Sequence, residues 1–161
     1  MPTLKLSDWA NLSEIVASVA VVLSLIYVGF QINQNTVAIQ QESHQSVQEI
    51  LQAIDLTLAA DPELLKIVMS AEKSPAEVTE LQWRRFTHMA IQNIATWEFA
   101  YLARSEGAIT EDQWAGFNPY FTAMVCKAGY RRFWEENRPF FTPSFALHVN
   151  TIIGSECVVS S

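Results

Sequence analysis

The sequence has few charged residues, and most of those are acidic. Charged side chains make up 17% of the 161 residues, against about 25% in an ordinary soluble domain. Ten lysines and arginines stand against seventeen aspartates and glutamates, for a net charge of −7. Because nucleic-acid binding needs a basic surface that displaces counterions, we do not expect a nucleic acid as the partner.

The sequence also lacks the short motifs of catalysis and of cofactor or metal binding. Its five glycines form no phosphate-binding loop and no GxSxG nucleophile motif. His44, His88 and His148 form no HxxxH or HExxH pair, and Cys126 and Cys157 form no CxxC. We therefore predict no catalytic residue, no cofactor and no metal site, and we expect two unpaired thiols.

One long hydrophobic run lies near the N-terminus. Fourteen of the eighteen residues from 15 to 32 are apolar, close to the length that a membrane-spanning helix needs. Trp9 precedes the run, and Tyr27 and Phe30 lie at its end. Trp9 and Phe30 would be about 31 Å apart along a helix, a spacing typical of aromatic anchors at the two membrane interfaces. The run predicts an N-terminal flank over 1–11 and a transmembrane helix over 12–32.

Two other interpretations of this run are weaker. A cleaved signal peptide needs a basic start and a small-x-small cleavage site, whereas this run continues into QINQNTVAIQ. A core helix of a soluble domain is rarely apolar around its whole circumference. Lys5 is the only lysine or arginine before the run, and none follows until Lys66, which indicates an N-terminus on the inner side.

A helical pattern continues beyond the run as a stalk over 33–60. Val47, Leu51, Ile54 and Leu58 fall at the apolar positions of a seven-residue repeat. Such a stripe either packs on helices of the same chain or forms a seam between subunits, and the spacing is compatible with both.

Helix-start signals divide the following residues, 61–154, into a small bundle. The signals are Asp61-Pro62, the capping boxes Thr79-x-x-Gln82 and Thr110-x-x-Gln113, and Thr142-Pro143. We expect Pro119 to kink or cut the helix that begins after Thr110, and Gly129 to break the chain. Residues 155–161 read as a disordered tail. No segment alternates at period two, so the predicted fold is all-α: an N-terminal transmembrane helix extended into a stalk and packed with a small helical bundle.

Glu98 is the candidate site residue that the pattern singles out. On a helical wheel it falls within the apolar arc of its helix, near Trp97 and Leu102. Because burial of a bare carboxylate is costly, we expect a partner, either Arg131 or Arg132. Glu98 is then either a buried polar pin that fixes helix packing or an acid that contacts a ligand.

Three stretches carry a resemblance to known sequences. They are EIVASVAVVLSLIYVGFQINQNT (14–36), WEFAYLARSEGAITEDQW (97–114) and GYRRFWEENRPFFTPSFALHV (129–149). Together they resemble a family of uncharacterised bacterial single-pass membrane proteins. The resemblance implies an anchor in the inner (plasma) membrane, an all-helical domain, and no established activity or cofactor. Arginines that usually follow the membrane run in that family imply a cytoplasmic C-terminal domain, although Gln31, Asn33 and Val37 occupy this region here.

These observations lead to one functional expectation and two alternatives. We expect a membrane-anchored helical interaction or accessory module that contacts the bilayer and either a protein partner or further copies of itself. The first alternative is a ligand-sensing or enzymatic helical domain with a pocket near Glu98. The second is a small homo-oligomeric pore lined by the Gln- and Asn-rich stalk.

Overall fold

The fold is all-α, as the sequence predicts. The computed structural model describes residues 6–157, and within this range the chain forms α-helices and one short 3-10 helix but no strand. The helices are α1 (Leu6–Ala60), α2 (Pro62–Lys73), α3 (Glu80–Ser105), α4 (Glu111–Val125), α5 (Ala128–Asn137) and α6 (Pro143–Ser155), with the 3-10 helix at Arg138–Phe140 between the last two.

The chain divides into two compact units at a point inside α1. The first, Met1–Ile39, is the N-terminal part of this helix as far as it is described, and every side chain from residue 13 to residue 39 is exposed. The second unit, Gln40–Ser161, contains the remainder of α1 and all the later helices. The second unit therefore begins within the segment expected to be the stalk, 33–60.

The predicted helix starts are present with their capping interactions. The Asp61 carboxylate accepts a hydrogen bond from the Leu64 N–H at 2.9 Å. Thr79 and Thr110 each form a reciprocal capping box with the glutamine three residues later. Gly107, which follows α3, has a φ of 75° that a side chain rarely adopts. Local signals in the sequence therefore position α2, α3 and α4.

The predicted cut at Pro119 and the predicted break at Gly129 are wrong, and the kink that was the alternative at Pro119 stays a prediction. Pro119 lies inside α4, which runs on to Val125; the residue is exposed, so water can satisfy the carbonyl that loses its backbone donor. Gly129 lies inside α5 rather than between helices. A Cβ at Gly129 would collide with the Ala71 carbonyl of α2, so this glycine permits a close approach of two helices and does not break the chain.

The core of the second unit is aromatic and is centred on α3. On this helix Trp83, Phe86, Ile94 and Trp97 are all buried. Large side chains from α4, α5 and α6 meet it, namely Phe121, Phe133, Trp134 and Phe145.

The apolar stripe of α1 packs on this same core. Val47 is fully buried and Ile54 is 8% exposed, while Leu51 and Leu58 are partly buried against the cluster. Of the two interpretations left open for the stripe, packing within the chain is the one observed. A seam between subunits would need side chains that the chain's own core already covers.

The expectation of two unpaired thiols is wrong. Cys126 and Cys157 form a disulfide that joins the residue after α4 to the turn after α6. Cys157 is 6% exposed and belongs to the core cluster. The expected disordered tail is therefore ordered at residues 155–157, and its remainder, 158–161, lies outside the described residues. Because the two cysteines are 31 residues apart, no local spacing in the sequence indicates the pairing.

Candidate functional site

Glu98 accepts its hydrogen bond from the backbone and not from an arginine. The side chain is half-buried on α3, and its Oε1 lies 2.6 Å from the Thr142 N–H, at the residue that precedes α6. Carboxylates are favoured at helix N-termini, where unpaired N–H groups carry a partial positive charge. The contact joins two helices far apart in sequence, as a polar pin would.

Arg132 lies elsewhere in the bundle. It donates to the Glu136 carboxylate at 2.8 Å and to the Pro75 carbonyl at 2.9 Å, and its guanidinium lies 4.1 Å from the centre of the Trp83 ring. Arg131 is exposed and makes no ion pair among the described residues. Arg132 is therefore directed towards the N-terminal half of α3.

A groove with a volume of about 520 Å³ lies between α1, α2 and α3, and Glu98 does not line it. We call it the α1–α3 groove. Ile50, Ala53 and Ile54 of α1, Leu64 of α2 and Met89 of α3 form its apolar lining.

Polar side chains stand among this lining. Arg85, His88 and Gln92 all project from α3 into the α1–α3 groove. His88 is exposed, as is Gln92, and neither side chain makes a hydrogen bond within the part of the chain that the structure describes. Arg85 is already engaged, as it donates to Asp61 at 2.9 Å and lies 3.6 Å from the Glu63 carboxylate.

The surroundings of the groove are acidic. The Leu64 N–H, followed by the Arg85 guanidinium, holds the pKa of the Asp61 carboxyl below its usual range, so Asp61 is ionised at neutral pH. Asp61 and Glu63 together offset the single charge of Arg85. The groove therefore combines an apolar lining with one net negative charge from Asp61, Glu63 and Arg85.

A second cluster surrounds His148 of α6 with aromatic rings. Its ring centre lies 4.8 Å from that of Tyr101, 5.6 Å from Trp97 and 5.9 Å from Trp114. Burial, followed by the nearby Arg104 guanidinium, lowers the pKa of His148. The imidazole itself occupies the space between the rings, so this cluster is a packed part of the core. Residue spacing places His148 on an apolar face, but it does not show which rings from other helices meet it.

The hydrophobic part of α1 presents its apolar side chains outward. The predicted anchors Trp9, Tyr27 and Phe30 are 58%, 61% and 66% exposed. The polar side chains of the run make bonds within the helix: Ser24 donates to the Ala20 carbonyl at 2.8 Å, and Gln31 donates to the Tyr27 hydroxyl at 2.9 Å. A helix that satisfies its own polar groups meets the main requirement for a place in hydrocarbon.

These features define the class of the protein. Among residues 6–157 it is all-helical, and one helix is long and apolar enough to cross a membrane. The most apolar 18-residue window of that helix has a mean hydropathy of 2.3, and none of the window is buried. Comparison of the chain with protein-family models, with curated proteins and with solved structures gave no match.

Proposed function

We propose that this protein is a single-pass, membrane-anchored interaction module of the bacterial inner membrane, and that the α1–α3 groove binds an amphipathic helix that carries basic residues. The observation that carries the proposal is an apolar groove with acidic surroundings, on a domain whose first helix continues from a fully exposed apolar segment.

Anchoring is supported by the exposure of the apolar run. Its large side chains include Leu25, which is 67% exposed, and Ile32, which is 63% exposed. Contiguous apolar surface of this extent marks an interaction site or a membrane-embedded segment. None of the surface of its most apolar window is buried in the described structure, which supports a membrane-embedded segment over a core helix. A signal sequence satisfies the same criteria of length and composition, and the mass of the mature chain distinguishes the two.

A helical partner fits the dimensions and the charge of the groove. Residues 50–57 of α1 run along it for about 10 Å, roughly two turns of a helix. Apolar side chains of a partner at positions i, i+3 and i+4 would pack against Ile50, Ile54 and Met89, as in other helix-in-groove complexes. Lysine or arginine side chains on the flanks of that helix would face Asp61 and Glu63, and complementary charge would favour such partners over acidic ones.

The same groove supports a ligand-sensing function as the second candidate. Its volume lies within the roughly 300–1,000 Å³ typical of small-molecule sites, and the free polar groups of His88 and Gln92 could orient a ligand there. This groove differs from the pocket expected near Glu98. The Oε1 of Glu98 accepts a hydrogen bond from the Thr142 N–H instead.

Photo-crosslinking in intact cells tests the proposal. A benzophenone amino acid replaces Ala53, which is exposed and lines the groove, in the full-length chain. The matched control carries it at Gln52, the adjacent exposed residue, which does not line the groove. We expect an adduct with Ala53→benzoylphenylalanine alone, and mass spectrometry should map the crosslink to an amphipathic segment with basic flanks.

Each other outcome overturns the helix-binding proposal. An adduct with a small molecule would favour ligand sensing, and an adduct with a second copy of the chain would favour self-association. Equal adducts at positions 53 and 52, or none at position 53, would show that the groove is not a binding surface.

A further inference from the structure

The disulfide carries an inference about the side of the membrane on which the bundle lies. The Cα atoms of Cys126 and Cys157 are 4.9 Å apart, within the usual range for bonded cysteines. Cys126 directly follows the last residue of α4, and Cys157 lies two residues after the end of α6. The bond thus links the C-terminal ends of α4 and α6.

Disulfides of this kind persist only where the surroundings are oxidising. In the cytoplasm of ordinary bacteria, glutathione and thioredoxin keep protein thiols reduced. We infer that residues 40–157 lie on the oxidising, outer face of the membrane, with the N-terminal flank on the cytoplasmic face. The inference rests on the membrane anchoring proposed above, and it replaces the cytoplasmic placement that the family resemblance implied.

The distribution of basic residues supports the same orientation independently. Lysine and arginine near a membrane segment favour its cytoplasmic end. Lys5 is the only one before the run, and none occurs after it until Lys66. This bias favours an outward location of the C-terminal side.

Formation of the bond requires a disulfide donor protein of that compartment. The Cys126 thiolate attacks the donor disulfide, forms a mixed disulfide and releases one donor thiolate. The Cys157 thiolate then attacks the Cys126 sulfur and releases the second donor thiol. The two cysteines lose two electrons and two protons in total, and the donor disulfide becomes a dithiol. Cys126 lines an open groove with Thr122, Lys127 and Glu156, which gives the donor access to it.

Thiol trapping of the unmodified full-length chain in a Gram-negative bacterial host tests the inference. Cells are quenched in acid, denatured and treated with a polyethylene-glycol maleimide, with and without prior reduction. We expect no mass shift without reduction and the addition of two adducts after it. Host cells that lack their periplasmic thiol oxidase should yield two adducts in both conditions. Cys126→Ser and Cys157→Ser, each with one remaining thiol, calibrate the shift of a single adduct.

A labelling experiment separates this inference from the anchoring itself. Glu135→Cys places a thiol on an exposed face of α5 in a chain with both native cysteines changed to serine, and Thr3→Cys places one before the run. A membrane-impermeant maleimide should label position 135, but not position 3, in spheroplasts. Two free thiols in membrane-bound native protein, or labelling of position 3 alone, would overturn the orientation while leaving the anchor intact. A disulfide-bonded chain found only in the soluble periplasmic fraction would overturn the anchor and keep the outward location.

Discussion

At the scale of single residues, the polar groups of the core act as structural contacts. Glu98 meets the start of α6. Asn93 donates to the Tyr130 hydroxyl at 3.0 Å, and the Trp97 indole N–H donates to the side-chain Oδ1 of Asn118 at 3.3 Å. Each of these bonds crosses between helices. Together they fix how α3 packs on its neighbours, since a helix in another register would leave these groups unpaired.

Loss of the Glu98 carboxylate should destabilise the bundle moderately. In Glu98→Ala, the Thr142 N–H loses its acceptor, and we expect the free energy of unfolding to fall by about 1–3 kcal/mol. Glu98→Gln should cost less, because it keeps the shape and one acceptor oxygen. Urea denaturation of the full chain in mild detergent measures both. Glu135→Ala, which removes an exposed glutamate from α5, is the control and should change stability by less than about 0.5 kcal/mol. A Glu98→Ala protein as stable as the parent would show that the contact is dispensable.

Protonation of His148 should weaken the fold as the pH falls. Its pKa is lowered from 6.5 in the folded state, so between the two pKa values the unfolded chain binds more protons than the folded one. This stability is fully present above about pH 6.5 and is lost as the pH falls towards the folded pKa. Thermal melts from pH 7.5 to 5.5 should show the loss, and His148→Phe should reduce the slope.

The difference in pH slope between the parent and His148→Phe reports the titration of His148 only if the groups around this residue stay in place. Tyr101, Arg104 and Glu156 are the charged and titratable groups that bear on it. Leu147→Gln changes an exposed side chain of the same helix and should keep the slope of the parent. An identical slope in His148→Phe and the parent would assign the pH dependence to other groups.

At the scale of elements, local chemistry predicts the helix starts well and tertiary contacts poorly. Asp61, Thr79 and Thr110 indicate their helices because the capping partner lies within three residues. The role of Gly129 depends on the Ala71 carbonyl of another helix, so its sequence neighbours do not reveal it, and the break between α4 and α5 lies before it, at 126–127. The partner of Glu98 is a backbone group 44 residues away, and no pattern of side chains reveals it. The α1–α3 groove escaped prediction for the same reason, since its lining comes from three helices.

Val47→Asp should disrupt the bundle, because it places a charge where α1 packs on the core. Val47 is fully buried, and an unpaired buried charge costs about 3–5 kcal/mol. Gln48→Asp, on the exposed side of the same turn, should leave the fold intact. Urea denaturation gives the stability, and light scattering in detergent gives the oligomeric state. If Val47→Asp changed the oligomeric state and kept the parent's stability, the stripe would be a subunit seam instead.

At the scale of the whole molecule, the chain combines one unit of exposed apolar helix with one unit of aromatic core. The long apolar run over 15–32 predicted the first, and the helix-start signals after residue 60 predicted a bundle for the second. The proposed roles divide in the same way: residues 12–32 hold the protein in the bilayer, and the α1–α3 groove is the surface for a partner. Without a membrane, burial of the first unit would require some other apolar partner.

Alkaline carbonate extraction of the full-length protein tests the membrane anchor most directly. We predict that the parent and Val22→Leu stay in the membrane pellet, since Val22 lies within the exposed apolar run. Val22→Arg should be lost from the pellet, because an arginine at the centre of a membrane helix costs about 2.5–3.5 kcal/mol on insertion scales. Release of the parent protein by carbonate, or equal retention of Val22→Arg, would contradict the account.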